Sequence, residues 1–279
     1  MNIGIVGLGL IGGSIGLKLQ SLDHTVFGVT NNGLNNEKAK KRKLANIISE
    51  DYKILQNCNL VILALPINDL VNPSPDLINA IPKKSIVTDV GSVKSPIIET
   101  WEKIHPLFIG SHPMAGNEKK GVEAGNEALF DNAKWVITPT SKTNKDSLKI
   151  LSNLLKEMGC RVYFESPDIH DEAVAIISHL PIYLGSCLIE TANCDNNQEL
   201  LNLSRKLAST GFADTTRVGG GNPSLGLDLA THNRKNIINW LKIFKENIHA
   251  FEEIFENNNW NLLHEKLENS KKWRDDFCN

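Results

Sequence analysis

Asn2-Ile3-Gly4-Ile5-Val6-Gly7-Leu8-Gly9-Leu10-Ile11-Gly12-Gly13-Ser14-Ile15-Gly16-Leu17 opens the chain. An apolar run of strand character breaks on a GxGxxG and resumes with helical spacing. Each glycine has a physical task in that setting. Gly7 permits a tight turn, Gly9 lets backbone approach a pyrophosphate, and Gly12 lets the helix lie close on the strand while its N-terminus faces the anion. Glycine clusters alone are usually only turns. The strand before, the helix after and the position at the head of the chain give this one its meaning: Gly7, Gly9, Leu10, Ile11 and Gly12 are expected to hold a dinucleotide.

Outward from that unit, short apolar runs recur at Asn2 to Val6, Thr25 to Val29, Leu60 to Leu65, Ser85 to Val90, Leu107 to Ile109, Trp135 to Thr138 and Arg161 to Phe164. Most are separated by helix-compatible stretches and are apolar throughout, the pattern of a parallel sheet covered on both faces. Beyond Ser166 strand-like runs cease. Helical periodicity takes over at Pro167 to Ala192, Gln198 to Ser209, Pro223 to Thr231, Lys235 to Asn257 and Trp260 to Asp275, with Asn257 to Asn259 read as a turn between helices. The expected architecture is α/β: a Rossmann-type, mostly parallel sheet domain over residues 1–165, then an all-α domain over 166–279.

The 279 residues are 41% apolar and carry a net charge of -2, with lysine runs that are short and scattered, so no surface for a nucleic acid is indicated. Cys58, Cys160, Cys187, Cys194 and Cys278 form no CxxC pair and are odd in number, which argues against a zinc site and against a disulfide framework, and for a reducing, cytoplasmic setting. Met1 runs directly into the first strand without the features of a signal peptide. Ala173 to Ile189, the most apolar long segment, is interrupted by His179 and Pro181 and is shorter than the roughly 20 residues of a membrane span, so it reads as a buried core helix.

The second strand normally ends on an acid that binds the adenine ribose hydroxyls of NAD. Here it runs into Thr30, Asn31, Asn32 and Gly33, and the next acid along the chain is Glu37. With no carboxylate to repel a 2′-phosphate, NADP is the expected cofactor, with NAD possible; an ordinary polar turn is the bland alternative. Ligands in such sheets bind at the strand ends, so the residues after each later strand matter. Leu65 and Pro66 follow the third run, Ser92 and Lys94 the fourth, and His112, Pro113 and a glycine-bearing loop the fifth. A neutral histidine just past a buried strand suits removal of a hydroxyl proton as hydride leaves carbon. Serine at position 92 fits either the same cleft or a helix cap. His170 and His179 are nine residues apart, which on an α-helix at about 100° per residue sets them roughly 180° apart, so one of them, His179, is expected to face the cleft. Arg217, beside Gly219 to Gly221 and three residues after Asp214, is placed either to grip a carboxylate bidentately or to form a surface ion pair.

Taken in order, GLGLIGGS, ALPI, TDVGSVK, GSHPMAG, HDEAVAIISHLP and GFADTTRVGGGNP resemble the prephenate/arogenate dehydrogenases of tyrosine biosynthesis over about residues 2 to 230. The resemblance implies an oxidative decarboxylation of a cyclohexadienol in which hydride passes to the nicotinamide and carbon dioxide leaves as the ring aromatises. It implies His112 as the catalytic histidine, Ser92 as its neighbour, His179 as a second pocket histidine, Arg217 as the grip on a substrate carboxylate supported by Asp214, and Glu118 as an acidic pocket residue. Many prephenate-using relatives carry a tryptophan shortly after the GGGNP-like segment; here Gly226 stands there, which is similar to the members that prefer L-arogenate and NADP. The resemblance further implies a homodimer formed through the helical half. The chain finishes on its last helix, with no separate segment expected for sensing tyrosine.

Two alternatives stay in view. A dehydrogenase of 3-hydroxy acids would place a lysine on the first long helix of the second half, where this chain has His170 and His179. A non-catalytic NADP sensor would tolerate loss of His112, Ser92 and Arg217.

Overall fold

A computed structural model describes residues 1–116, 121–194 and 197–278. Glu118 therefore lies outside the described residues. The first half lays down β1 (Asn2–Val6), α1 (Leu10–Ser21), β2 (Thr25–Val29), α2 (Gly33–Lys41), β3 (Ile47–Ser49), β4 (Leu60–Leu63), α3 (Ile67–Val71), α4 (Pro75–Ala80), β5 (Ile86–Asp89), α5 (Ser95–Ile104), β6 (Phe108–Pro113), β7 (Lys134–Thr138), α6 (Lys145–Glu157) and β8 (Arg161–Phe164). The strands form one sheet in the order β3-β2-β1-β4-β5-β6-β7-β8, parallel throughout except for β6 against β7. The order reverses between β1 and β4, which opens a crevice at the carboxyl ends of those strands.

Alternate residues of the central strands bury into two separate cores. Ile3, Ile5, Leu60 and Ile62 pack with Ile15, Leu19 and Trp135 on one face, and Val6, Val61, Leu63 and Val87 pack with Leu70, Ile97 and Trp101 on the other. Both faces are thus dry, which explains strands that are apolar at every position. All seven expected strands form. β3 is additional: three residues carry too little pattern to be read from sequence, and this strand exists by pairing with β2.

Beyond β8 come α7 (Pro167–Val174), a π-helical turn (Ala175–His179), α8 (Leu180–Asn193), α9 (Gln198–Leu207), α10 (Thr210–Thr216), α11 (Pro223–His232), α12 (Arg234–Glu256) and α13 (Trp260–Cys278). The described chain divides into compact units at Met1–Asn233 and Arg234–Asn279. In the second unit α12 and α13 contact each other across the expected Asn257–Asn259 turn, with Lys266 Nζ 4.9 Å from the Phe251 ring centroid.

The reading of Ala173 to Ile189 as a buried core helix is corrected. It belongs to a helical run of 27 residues, Pro167–Asn193, long and apolar enough to span a bilayer by length and composition, yet only 28% of its apolar window is buried. Ile177 is 52% exposed and Leu188 38%. Its inner side buries Val174, Ala175 and Leu180 together with three hydrogen-bonded polar groups, His170, Asp171 and His179.

Candidate active site

The crevice at the sheet's switch point contains a cavity of about 440 Å³ lined by Gly7, Leu8, Gly9, Thr30, Asn31, Asn35, Tyr52, Leu65, Pro66 and neighbours. Its floor is the turn that the sequence motif describes. Gly7 has φ +93°, a left-handed conformation that favours glycine, and a Cβ on Gly12 would collide with the Gly7 carbonyl oxygen and crowd Ala64. Leu10 and Ile11 begin α1, and a Cβ on Gly9 would meet only open space.

At the end of β2, Thr30 is buried and its hydroxyl accepts from the Asn36 amide at 3.3 Å. Asn32 caps α2 by accepting from Asn35 N at 2.9 Å. Asn31 Oδ1 accepts from Asn32 and Asn35, at 3.1 and 2.8 Å, which leaves its NH₂ to donate outward. One acid escaped the sequence reading. Glu50, at the end of the edge strand, brings its Oε1 to 3.6 Å from where a Cβ of Gly33 would sit.

The chemistry lies further along the sheet. His112 is in β6, opposite Val136 of β7, so the expectation that it lies just past a strand is corrected: antiparallel pairing from Gly110↔Thr138 to Pro113↔Trp135 carries β6 beyond Ile109. His112 Nδ1 lies 3.0 Å from His170 Nε2, the rings meeting edge to face, and His170 Nδ1 lies 2.8 Å from Asp171 Oδ1. Asp171 also accepts from Lys94 N at 2.6 Å and Ser95 N at 2.8 Å, so its carboxylate caps α5 from another element. Beneath this chain, Lys94 is fully buried; its Nζ donates to Asp89 Oδ2 and to the Ser111 carbonyl at 2.7 Å, and Asp89 accepts further from Gly91 N and Ser111 N.

His179 is fully buried at the end of the π turn. Asn233 Nδ2 donates to the Asp171 carbonyl at 2.8 Å and lies 3.2 Å from His179 Nδ1, which must therefore accept. The proton of neutral His179 is then on Nε2, a buried donor without a partner among the described residues. Leaving such a donor unpaired costs about 1–3 kcal/mol. A substrate oxygen would satisfy it.

The electrostatics keep the imidazoles basic in role and neutral in charge. Burial first, then His170, Lys94 and His179, push His112 well below the ordinary histidine range. Burial lowers His179 to about 4, against the pull of Asp171. For Asp171, burial works to raise the pKa, but the His170 hydrogen bond and the Lys94 and Ser95 N–H groups outweigh it and hold the group below the usual carboxylate range. Lys94 is lowered by burial, opposed by Asp89.

Two geometric expectations fail. The idea that only His179 of the two helix histidines turns inward is overturned by the π turn, whose wider i→i+5 winding delays the helical phase, so His170 and His179 are both buried. Nor does Asp214 hold Arg217: both are exposed around the end of α10, and no ion pair joins them among the described residues. A Cβ on Gly219 would collide with the Gly185 carbonyl carbon and Ser186 nitrogen of α8, so this glycine permits backbone contact. Ser92 is half-buried in the loop after β5 and does not cap α5, a task Asp171 performs. The roles of His170, Asp171, Lys94 and Asp89 were not legible because their partners lie up to 77 positions away; the adjacency of His170 and Asp171 was the available signal.

A dinucleotide crevice at the switch point of such a sheet, with a neutral histidine further along the sheet on β6, defines a nicotinamide-dependent dehydrogenase. The chain belongs to the prephenate/arogenate dehydrogenase family. The sequence models for the prephenate dehydrogenase nucleotide-binding domain and dimerization domain match residues 15–164 and 166–269. It is 30% identical to the prephenate dehydrogenase of Bacillus subtilis over 97% of this chain and 74% of that one, and 27% identical to the cyclohexadienyl dehydrogenase of Zymomonas mobilis over 98% and 94%. Among solved structures, Synechocystis arogenate dehydrogenase is similar with TM-score 0.84 and 36% identity, covering 99% of this chain and 100% of that one. Prephenate dehydrogenase from A. aeolicus, in complex with hydroxyphenyl propionate and NAD⁺, has TM-score 0.92 and 27% identity over 99% and 98%.

Proposed function

We propose that the chain oxidises and decarboxylates L-arogenate to L-tyrosine with NADP. The observation that carries the substrate half of this reading is Gly226, which stands where many prephenate-using relatives place a tryptophan; its carbonyl accepts from the Tyr183 hydroxyl at 2.8 Å, and a Cβ there would have only Ile182 at 3.9 Å. The 36% identity to an arogenate dehydrogenase points the same way. The cofactor half rests on the end of β2, where Thr30, Asn31 and Asn32 offer donors and no carboxylate, with the N-terminus of α2 beside them. The competing assignment, prephenate oxidation with NAD, is favoured by Glu50 beside Gly33 and by the names of several relatives.

In the proposed reaction the bound nicotinamide takes up the hydride. His112 Nε2 accepts the ring hydroxyl proton as the carbon–oxygen bond gains carbonyl character, and that proton returns to the phenol oxygen once carbon dioxide has left and the ring is aromatic. Ser92 supports the hydroxyl, the His179 Nε2–H donates to substrate, and Arg217 grips a carboxylate, with Asp214 and Glu118 as further substrate-binding residues. The working unit is a homodimer built through the helical half, in the cytoplasm, where the five free cysteines stay reduced.

The test is the absorbance of reduced nicotinamide formed by purified protein with arogenate or prephenate, each with NADP or NAD. Turnover confined to arogenate and NADP is expected. Thr30→Asp should then lower kcat/KM for NADP relative to NAD by about tenfold or more, since a unit repulsion near 4 Å is worth roughly 1–4 kcal/mol. Comparable use of prephenate or NAD by the wild type removes the specificity and leaves the family.

A further inference from the structure

The alignment of His112, His170 and Asp171 fixes where its protons lie. The Asp171 carboxylate is acceptor-only, since it receives N–H groups from Lys94 and Ser95 as well as the His170 contact. The proton between Asp171 and His170 therefore belongs to His170 Nδ1. In neutral His170 the Nε2 is then a lone pair, and the 3.0 Å contact makes His112 Nδ1 the donor. This leaves His112 Nε2 as a lone pair with no partner among the described residues.

We propose that His170 and Asp171 are positioning residues that hold His112 in its Nδ1–H tautomer, with Nε2 free to accept a proton. The tautomer is a property of the folded chain; only its catalytic consequence rests on the dehydrogenase reading above. Without this chain a neutral imidazole distributes its proton over both nitrogens, and the Nε2–H form has no lone pair at Nε2 with which to accept. The groups around His112 agree with the assignment. Asp89 at the end of β5 and Lys94 just ahead of α5 neutralise each other as a buried pair, and His179 from the π turn is kept neutral by its burial. When His112 accepts a proton, its Nδ1–H already points at His170 with the Asp171 carboxylate behind it, so the new positive charge meets a prepared negative one.

Asp171 performs two tasks with one carboxylate. Its cap on α5 docks α7 against the sheet, and its contact with His170 orients the base, so the two halves of the first unit must meet before His112 is set. Ser95 Oγ adds a second tie, donating to Asp168 at 3.1 Å.

Long-range ¹H–¹⁵N spectra of histidine-labelled full-length protein with NADP bound read the tautomer directly, His112 being assigned by its loss in His112→Asn. The wild type should show His112 protonated at Nδ1 and unprotonated at Nε2. In His170→Phe, which keeps the α5 cap but removes the acceptor, the single tautomer should give way to a mixture. There kcat should fall by about tenfold to a hundredfold, within the usual range for a general base, while NADP affinity by fluorescence stays within about twofold. His170→Gln, which restores an acceptor, should recover part of that loss. A wild-type His112 protonated at Nε2 overturns the proposal, whether or not the variants fold, and so does His170→Phe turnover within about twofold of wild type. Wild-type protein inert toward both arogenate and prephenate would instead sink the functional reading, with the tautomer still decided by the spectra.

Discussion

His112 shows how a residue's role is set by neighbours its own sequence position does not reveal. Standing alone it would titrate near 6.5, but burial together with His170, Lys94 and His179 pushes it well below that value. The sign of the consequence is fixed: the neutral form is the base, so kcat/KM is full above the shifted pKa and is lost as pH falls through it. From about pH 8 down to about 6.5 the profile should therefore stay flat within about twofold, with the acid limb lying lower. A limb centred at 6.5 or above would show that another group carries the proton. The sequence singled out His112 and His179 because each sits in a distinctive local stretch. It could not give His170, whose helical phase depends on a π turn five residues later, nor Lys94, which looks like any lysine ahead of a helix and is fully buried against Asp89.

Between elements, legibility follows length and period. The strands from β1 to β8 announce themselves as apolar runs, while β3 is too short to do so, and β6 extends to Pro113 only because β7 returns antiparallel beside it. Close approaches are equally hidden. The triple glycine after Arg217 reads as a loop, yet Gly219 lies on the backbone of α8 at Gly185 and Ser186. Gly219→Ala should consequently destabilise the chain, by about 1–3 kcal/mol if the helices part and more if they cannot. Gly220→Ala, with nothing nearer than 3.8 Å to its Cβ, should cost well under half of that. Urea denaturation of the two variants beside wild type checks the contrast, and equal midpoints would mean that the contact at Gly219 gives way without cost.

At the scale of the molecule, the Pro167–Asn193 run presents an apolar outer side that calls for a partner. Its inner side is anchored by His170, Asp171 and His179, while Ile177 and Leu188 face outward at 52% and 38% exposure. The matching dimerization-domain family and the homodimer proposed above supply a natural occupant: the same run on a second copy, since an isologous contact sets a patch against itself. If that is the interface, Ile177→Asp costs the single chain little, because the side chain is already half in water. It costs the dimer a pair of desolvated charges, one from each copy. A buried unpaired charge is worth about 3–5 kcal/mol, so the dimer should dissociate at least about a hundredfold more readily in sedimentation equilibrium. Far-ultraviolet circular dichroism should remain that of wild type. A variant that stays dimeric at unchanged affinity would place the contact elsewhere, on a face such as that of α12 and α13, where Phe255, Trp260 and Trp273 are also exposed.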